Sequence, residues 1–212
     1  MRDFPNFPTD YGTVGLVLNQ IPYTGRAYIH IHEARDLPLL LDECADFCVA
    51  AGATQVYICG DLDLSAYSPS VQILILQRPI QGIDETDACL MPVTEETLDK
   101  WLDICNNAMS DVDHAAYMDR ATGRKLLQVG GGYFVHRNDE LLGIGIAKGA
   151  AISLLAAVKK GAGQDVVLAL SHALSDDMIY LEVAQTNAKA ISLYQRLGFI
   201  QTGIKCTWHR VR

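Results

Sequence analysis

Along this chain, hydrophobic residues alternate with polar ones in some stretches and recur every three or four positions in others. The two periods divide it into strands and helices. Residues 12–20 and 26–32 read as strands on either side of the turn-like Pro22–Gly25. Asp36 then stands as a helix N-cap, with Pro38 in the first turn, where its missing N–H does no harm. Leu37, Leu40, Leu41, Cys44, Cys48 and Ala51 mark the buried face of that helix, and Gly52 ends it. Short apolar strands follow at 55–59 and 71–76, separated by the polar, Ser- and Pro-containing loop 61–70. The polar, turn-prone Pro79–Asp87 sets a domain boundary, giving an N-terminal α+β half at 1–87 and a second domain at 88–212.

In the second half Cys89–Val93 reads as a strand. Thr94 reads as a helix N-cap, with Glu95 and Glu96 in the dipole-favoured first turn. Leu98, Trp101, Leu102, Cys105 and Met109 form the apolar stripe of this helix, and a second short helix is expected around His114–Asp119. Strands are expected at 126–129, 132–136 and 140–147, the last two joined by a turn at Arg137–Asp139. A long apolar strand at 150–158 precedes a helix whose apolar face is Val166, Val167, Leu170 and Leu174. Residues 27–61 and 150–184 are equally long and both read strand–helix–strand, which suggests an internal repeat.

Composition narrows the function. The chain has 212 residues, half of them hydrophobic and a fifth charged, the profile of an ordinary globular protein with a substantial core. A net charge of −8 without a long basic cluster argues against a nucleic-acid surface. MRDFPNFPTD lacks the apolar stretch of a signal peptide, and no apolar run approaches the about 18 residues of a membrane span. Six cysteines without paired spacing read as reduced thiols of a cytoplasmic protein. His30 and His32 lie two apart on one strand, but no third ligand has metal-site spacing, so no metal is expected.

The most specific pattern is Ile179–Gly203. Ile179, Leu181 and Val183 alternate with Tyr180 and Glu182 as a strand, and Thr186 or Asn187 stands at a helix N-cap. Ala190, Leu193, Tyr194 and Leu197 follow at helical spacing, and Gly198 suits a left-handed C-cap before the strand that starts at Phe199. This run resembles the C-terminal signature of the GNAT superfamily of N-acetyltransferases, L-x-V followed by N-x-x-A-x-x-L-Y-x-x-x-G-F. The matched residues are Leu181, Val183, Asn187, Ala190, Leu193, Tyr194, Gly198 and Phe199. The resemblance covers about residues 89–212. It implies an α+β fold with a mixed, mostly antiparallel sheet flanked by helices. The repeat in lengths leaves two readings of the N-terminal half, a degenerate GNAT-like unit that has lost its cofactor loop or an unrelated α+β half that walls the site or forms an interface.

The turn after Val158, Lys159-Lys160-Gly161-Ala162-Gly163-Gln164-Asp165, joins a strand to a helix. Glycines there let backbone N–H groups converge on an anion beside a positive helix end. The resemblance makes this the loop that holds the pyrophosphate of acetyl-CoA, with the pattern Q/R-x-x-G-x-G/A. One register puts Lys160 at the first position, Gly163 at the glycine and Asp165 at the last small residue. Another uses Gly161 and Gly163, with Val158 first. Asp165 is then either a helix N-cap pointing aside or a carboxylate that weakens CoA binding.

The resemblance further implies that strand 150–158 diverges from strand 178–184. Pantetheine would lie between them on backbone groups of Leu155, Ala156 and Val158, with Asn187 near the thioester. Tyr194 would be the general acid that protonates the departing thiolate. No general base is visible, and Tyr133, His136, Asp113 or a water could serve. The leading expectation is an acetyl-CoA-dependent N-acetyltransferase acting on a small-molecule or peptide amine. The alternative is a non-catalytic acyl-CoA-binding or interaction module that keeps the fold. A sheet edge near the C-terminus offers a place for two copies to pair.

Overall fold

The structure is a computed structural model and describes residues 6–212. It forms two compact units, one taking the chain as far as Gln72 together with Cys206–Arg212, the other Ile73–Lys205. The segment Pro79–Asp87 lies within the second unit.

The first unit contains β1 (Asn6–Thr9), β2 (Gly12–Val17), the one-turn α1 (Ile21–Thr24), β3 (Arg26–Ala34), α2 (Leu37–Ala50) and β4 (Gln55–Gly60). Asp36 caps α2 as expected, accepting from the Leu39 N–H at 3.1 Å. Pro22–Gly25 is a short helix rather than a simple turn, closed by Gly25 in the left-handed region. Strands β3 and β4 are parallel and zipped over six consecutive rungs, from Arg26–Gln55 to Ile31–Gly60. Their inward residues Ala27, Ile29, Val56 and Ile58 pack with Leu40, Leu41, Cys44 and Cys48 of α2. Ala45 joins that core, whereas Ala51 is exposed.

Strand β5 (Pro69–Pro79) begins in the first unit and runs into the second, where β6 (Cys89–Pro92), α3 (Leu98–Met109) and α4 (Arg120–Val129) follow. Three expectations fail here. Thr94 does not start a helix, because Thr94 and Thr97 close a turn on each other and α3 begins only at Leu98. The second helix lies not at 114–119 but at 120–129, where Asp119 caps it by accepting from the Thr122 N–H at 2.7 Å. Leu126–Val129 is therefore the end of a helix and not a strand. A run of four residues with three apolar ones fits either element, and the cap decides.

The hairpin of β7 (Gly132–Arg137) and β8 (Glu140–Lys148) turns through Asn138 and Asp139, both left-handed. Strand β9 (Ala151–Ala157), α5 (Gly163–Ser171), β10 (Met178–Ala184), α6 (Ala188–Arg196) and β11 (Ile200–Arg210) complete the chain. Within the second unit the strand order is β11-β5-β10-β9-β8-β7-β6. The end of β11 belongs to the first unit and pairs there with β4, so the C-terminal strand is not the open sheet edge expected for pairing two copies. From β5 to β6, only β9 and β10 are parallel. Leu98, Trp101, Leu102 and Cys105 pack with Phe134, Ile144 and Ala156, while Val166, Val167 and Leu170 pack with Val135, Ile179, Leu181 and Val183. Helix α5 comes close to β8 because Gly143 and Gly145 lack side chains. A Cβ at Gly145 would stand 2.3 Å from Leu170 Cδ1 and one at Gly143 2.7 Å from Val166 Cγ2. No helix among the described residues is long and apolar enough to cross a membrane.

Candidate functional site

Strands β9 and β10 share only two rungs, Tyr180–Ala151 and Leu181–Ile152. Beyond Ile152, β9 stays on β8 through Leu154, Leu155, Ala156 and Ala157, and β10 stays on β5 along its whole length. The two parallel strands therefore fork. In an antiparallel pair, successive residues turn their N–H and C=O alternately toward and away from the partner. The Val158 N–H donates to the Leu142 carbonyl at 2.9 Å. By that alternation Ala156 faces Ile144 as well, and Leu155 turns its N–H and C=O to the fork. Of the three backbone candidates, Leu155 alone presents both groups to the opening.

The turn at the open end is short. Ala162 donates to the Lys159 carbonyl at 3.2 Å, and Val166 makes the first helical bond back to Ala162 at 3.0 Å. Ala162 is the N-cap of α5 and supplies no side-chain cap. The amides of Gly163, Gln164 and Asp165 thus open the helix as donors without a helical acceptor. Gly161 holds φ at +88° with open space where a Cβ would be, a conformation that other residues rarely adopt. A Cβ at Gly163 would stand 2.9 Å from Leu193 Cδ2, which places α6 against the start of α5.

Asp165 is not the N-cap. Its carboxylate accepts a hydrogen bond from Arg137 Nη2 at 2.5 Å, while Asp87 lies 2.5 Å from Arg137 Nε as an ion pair without hydrogen-bond geometry. The Asp165 bond, ahead of the opposing cost of desolvation, raises the guanidinium above its ordinary value. Lys159 pairs with Glu140, and Lys160 is exposed with no ion pair among the described residues. Arg137 has no role in the sequence reading beyond its turn. The signal for it was the first-turn aspartate itself, a charge in search of a partner.

Tyr194 lies on α6 with 7% of its surface exposed. Its ring stands 5.9 Å from that of Phe199, and burial pushes its phenol up to about 12. No hydrogen bond to the hydroxyl is present among the described residues. Asn187 caps α6, its side chain accepting from the Ala190 N–H at 3.1 Å, which leaves the amide nitrogen for other partners. Thr186 instead donates to Asp113 at 2.8 Å. Glu182, the one acid on either arm of the fork, is held by Lys205 and by the Tyr180 hydroxyl. Among the other candidates for a base, the Nδ1 of His136 is buried without a hydrogen-bond partner among the described residues. Tyr133 gives its carbonyl to Trp101 Nε1 at 3.0 Å.

No family model matches the sequence, and no curated protein matches it. Solved structures do. A GCN5-related N-acetyltransferase from Sphaerobacter thermophilus superposes with a TM-score of 0.61 at 12% identity, covering 94% of this chain and 76% of the other. The fold is that of the GNAT N-acetyltransferases. An acetyltransferase from the GNAT family of Colwellia psychrerythraea matches with a TM-score of 0.53 at 11% identity, covering 98% and 84%. A tandem GNAT protein from the clavulanic acid biosynthesis pathway, solved without acetyl-CoA, gives 0.54 at 11%, covering 95% and 78%. The GNAT likeness thus extends over nearly the whole chain, beyond residues 89–212, where the signature lies. The match to a tandem protein agrees with the repeated strand–helix–strand, here β3-α2-β4 and β9-α5-β10. The two copies differ in their pairing, six rungs in the first and two in the second.

Proposed function

We propose that residues 73–205 bind acetyl-CoA in the fork between β9 and β10 and transfer its acyl group to a primary amine on a small molecule or peptide. The observation that carries this reading is the two-rung pairing of β9 with β10, with the α5 turn at the open end. A zipped pair leaves no room for an extended ligand and no free backbone to hold it. Here Leu155 offers a donor and an acceptor to a pantetheine arm. The amides of Gly161, Gly163 and Gln164, with the charge of Lys160, suit a diphosphate, whereas the Ala162 amide is spent on the Lys159 carbonyl. Leu155 N–H also stands where it could polarise a thioester carbonyl. Asn187 and Tyr194 on α6 serve the thioester end.

Acetyl-CoA supplies the activated acyl group. Within the site, the N–C bond forms as the C–S bond breaks. Tyr194 gives its proton to the departing sulfur, and the amine loses one to water or a nearby base. Proximity and proton transfer supply the rate, and no enzyme nucleophile is needed. Titration calorimetry of the full chain with acetyl-CoA, followed by thiol release on a panel of amines, tests the reading. Binding with turnover supports it, and absence of binding sinks it. Binding without turnover on any amine would assign the fork to an acyl-CoA-binding module instead.

A further inference from the structure

The Asp165 carboxylate sits in the first turn of α5, beside the amides that would receive a diphosphate. Left alone, it would repel that ligand. A unit charge about 5 Å from a phosphate weakens binding roughly a hundredfold at an effective dielectric near 20. The structure holds the carboxylate on Arg137 at 2.5 Å, with both side chains about a quarter to a third exposed. Arg137 comes from the end of β7, 28 residues earlier, and its other contact is the Asp87 carboxylate, which is 71% exposed.

We infer that Arg137 is the positioning residue that makes this loop fit for an anion, by drawing the Asp165 carboxylate away from the α5 amides and neutralising it. The inference rests on the reading of the fork as an acyl-CoA site and adds to it the reason this loop tolerates an acid where a small residue is expected. The two lysines of the turn do not take that part. Lys159 is engaged with Glu140, and Lys160 is exposed, without an ion pair among the described residues. A guanidinium suits the task better than an ammonium, since its planar fork can keep two carboxylates at fixed positions at once. Asp87 is largely solvated, so its share of the pairing is screened and Asp165 is the acid that Arg137 chiefly restrains.

The test is a double-mutant cycle on the full chain, read by calorimetry with CoA and with S-acetylpantetheine, which lacks the diphosphate. Arg137→Met is expected to weaken CoA about a hundredfold and to leave S-acetylpantetheine unchanged. Adding Asp165→Asn is expected to return CoA affinity to within a few-fold of wild type, a rescue that general damage to the hairpin would not give. Should Arg137→Met fail to fold, Asp165→Asn alone and Arg137→Lys take its place. The first is expected to bind CoA at least as tightly as wild type, the second more weakly than wild type. A double variant as weak as Arg137→Met overturns the inference and leaves the acyl-CoA site standing. So does an Arg137→Met variant that binds like wild type, or an Asp165→Asn variant that loses affinity. A wild-type chain that binds no CoA overturns both.

Discussion

Leu181 on β10 pairs with Ile152 on β9, and theirs is the last rung the two strands share. Past it Leu155 turns its backbone to the opening, whereas Ala156 turns its own to Ile144. The two neighbours should therefore respond differently to proline, which removes one N–H. Leu155→Pro is expected to weaken acetyl-CoA about tenfold, the worth of one hydrogen bond, and to lower Tm only through the lost packing of its partly buried side chain. Ala156→Pro breaks the β8 ladder and is expected to cost about 2 kcal/mol or more of stability. Equal acetyl-CoA affinity in Leu155→Pro and wild type, by calorimetry, would remove this strand from the binding site.

Tyr194 keeps its proton throughout the neutral range, because burial raises its phenol to about 12. A proton donor to sulfur needs that state. Tyr194→Phe is expected to lower kcat by about 10²–10³-fold with acetyl-CoA affinity unchanged, as measured by thiol release and calorimetry. A kcat equal to wild type would leave Tyr194 a packing residue beside Phe199.

The same burial links Tyr194 to alkaline stability. An unfolded tyrosine titrates near about 10, so between there and about 12 the unfolded chain has lost a proton that the folded one retains. The resulting stabilisation, about 3 kcal/mol, is fully present below pH 10 and is lost as pH rises through 12. Tyr194→Phe has no such group. Urea unfolding of both chains at pH 9 and pH 11.5 should show a steeper decline in the wild type, and parallel declines would contradict the assignment. Cys105, raised by burial to about 11, adds its own loss from about pH 9 upward equally in both chains.

Much of this was legible in the residues, and what was not has a common cause. The run from Ile179 to Phe199 folds as it reads, with Asn187 capping and Gly198 left-handed, because caps and periods are local. Asp36 and α2 follow for the same reason. Thr94 misled because a threonine that can cap can also close a turn on Thr97, and the two uses look alike in the sequence. The two-rung fork could be anticipated from the GNAT resemblance but not from composition or spacing, since register is a relation between strands. The Arg137–Asp165 pair joins residues 28 apart, and the acid in the first turn of α5 marks one end of it without naming the other.

Trp101 shows how the second unit anchors its helices. It is fully buried, and its indole N–H donates to the Tyr133 carbonyl on β7 at 3.0 Å. Trp101→Phe keeps most of the apolar area but removes one donor from that carbonyl, which still faces Gly145 on the β8 ladder, and it also opens a small cavity. A loss of about 2–3 kcal/mol is expected in urea unfolding. A loss below about 0.5 kcal/mol would mean that the indole bond adds nothing to the ladder partner of Tyr133.

The repeated strand–helix–strand yields a last prediction, because its two copies share topology and differ in pairing. Between β3 and β4 every residue from Arg26 to Ile31 has a partner, so no backbone remains there for a ligand. Between β9 and β10 pairing stops after two rungs. Acetyl-CoA should therefore slow amide exchange in the stretch from Leu155 to Asp165, through the Leu155 N–H and the α5 turn, and leave residues 26–60 at their unliganded rates. Exchange followed by mass spectrometry at peptide resolution reads both regions in one experiment. Protection confined to residues 26–60 would move the ligand to the other copy, and a zipped β3–β4 pair would then have to open to receive it. That opening costs about 1 kcal/mol for each rung broken, which the two-rung fork avoids.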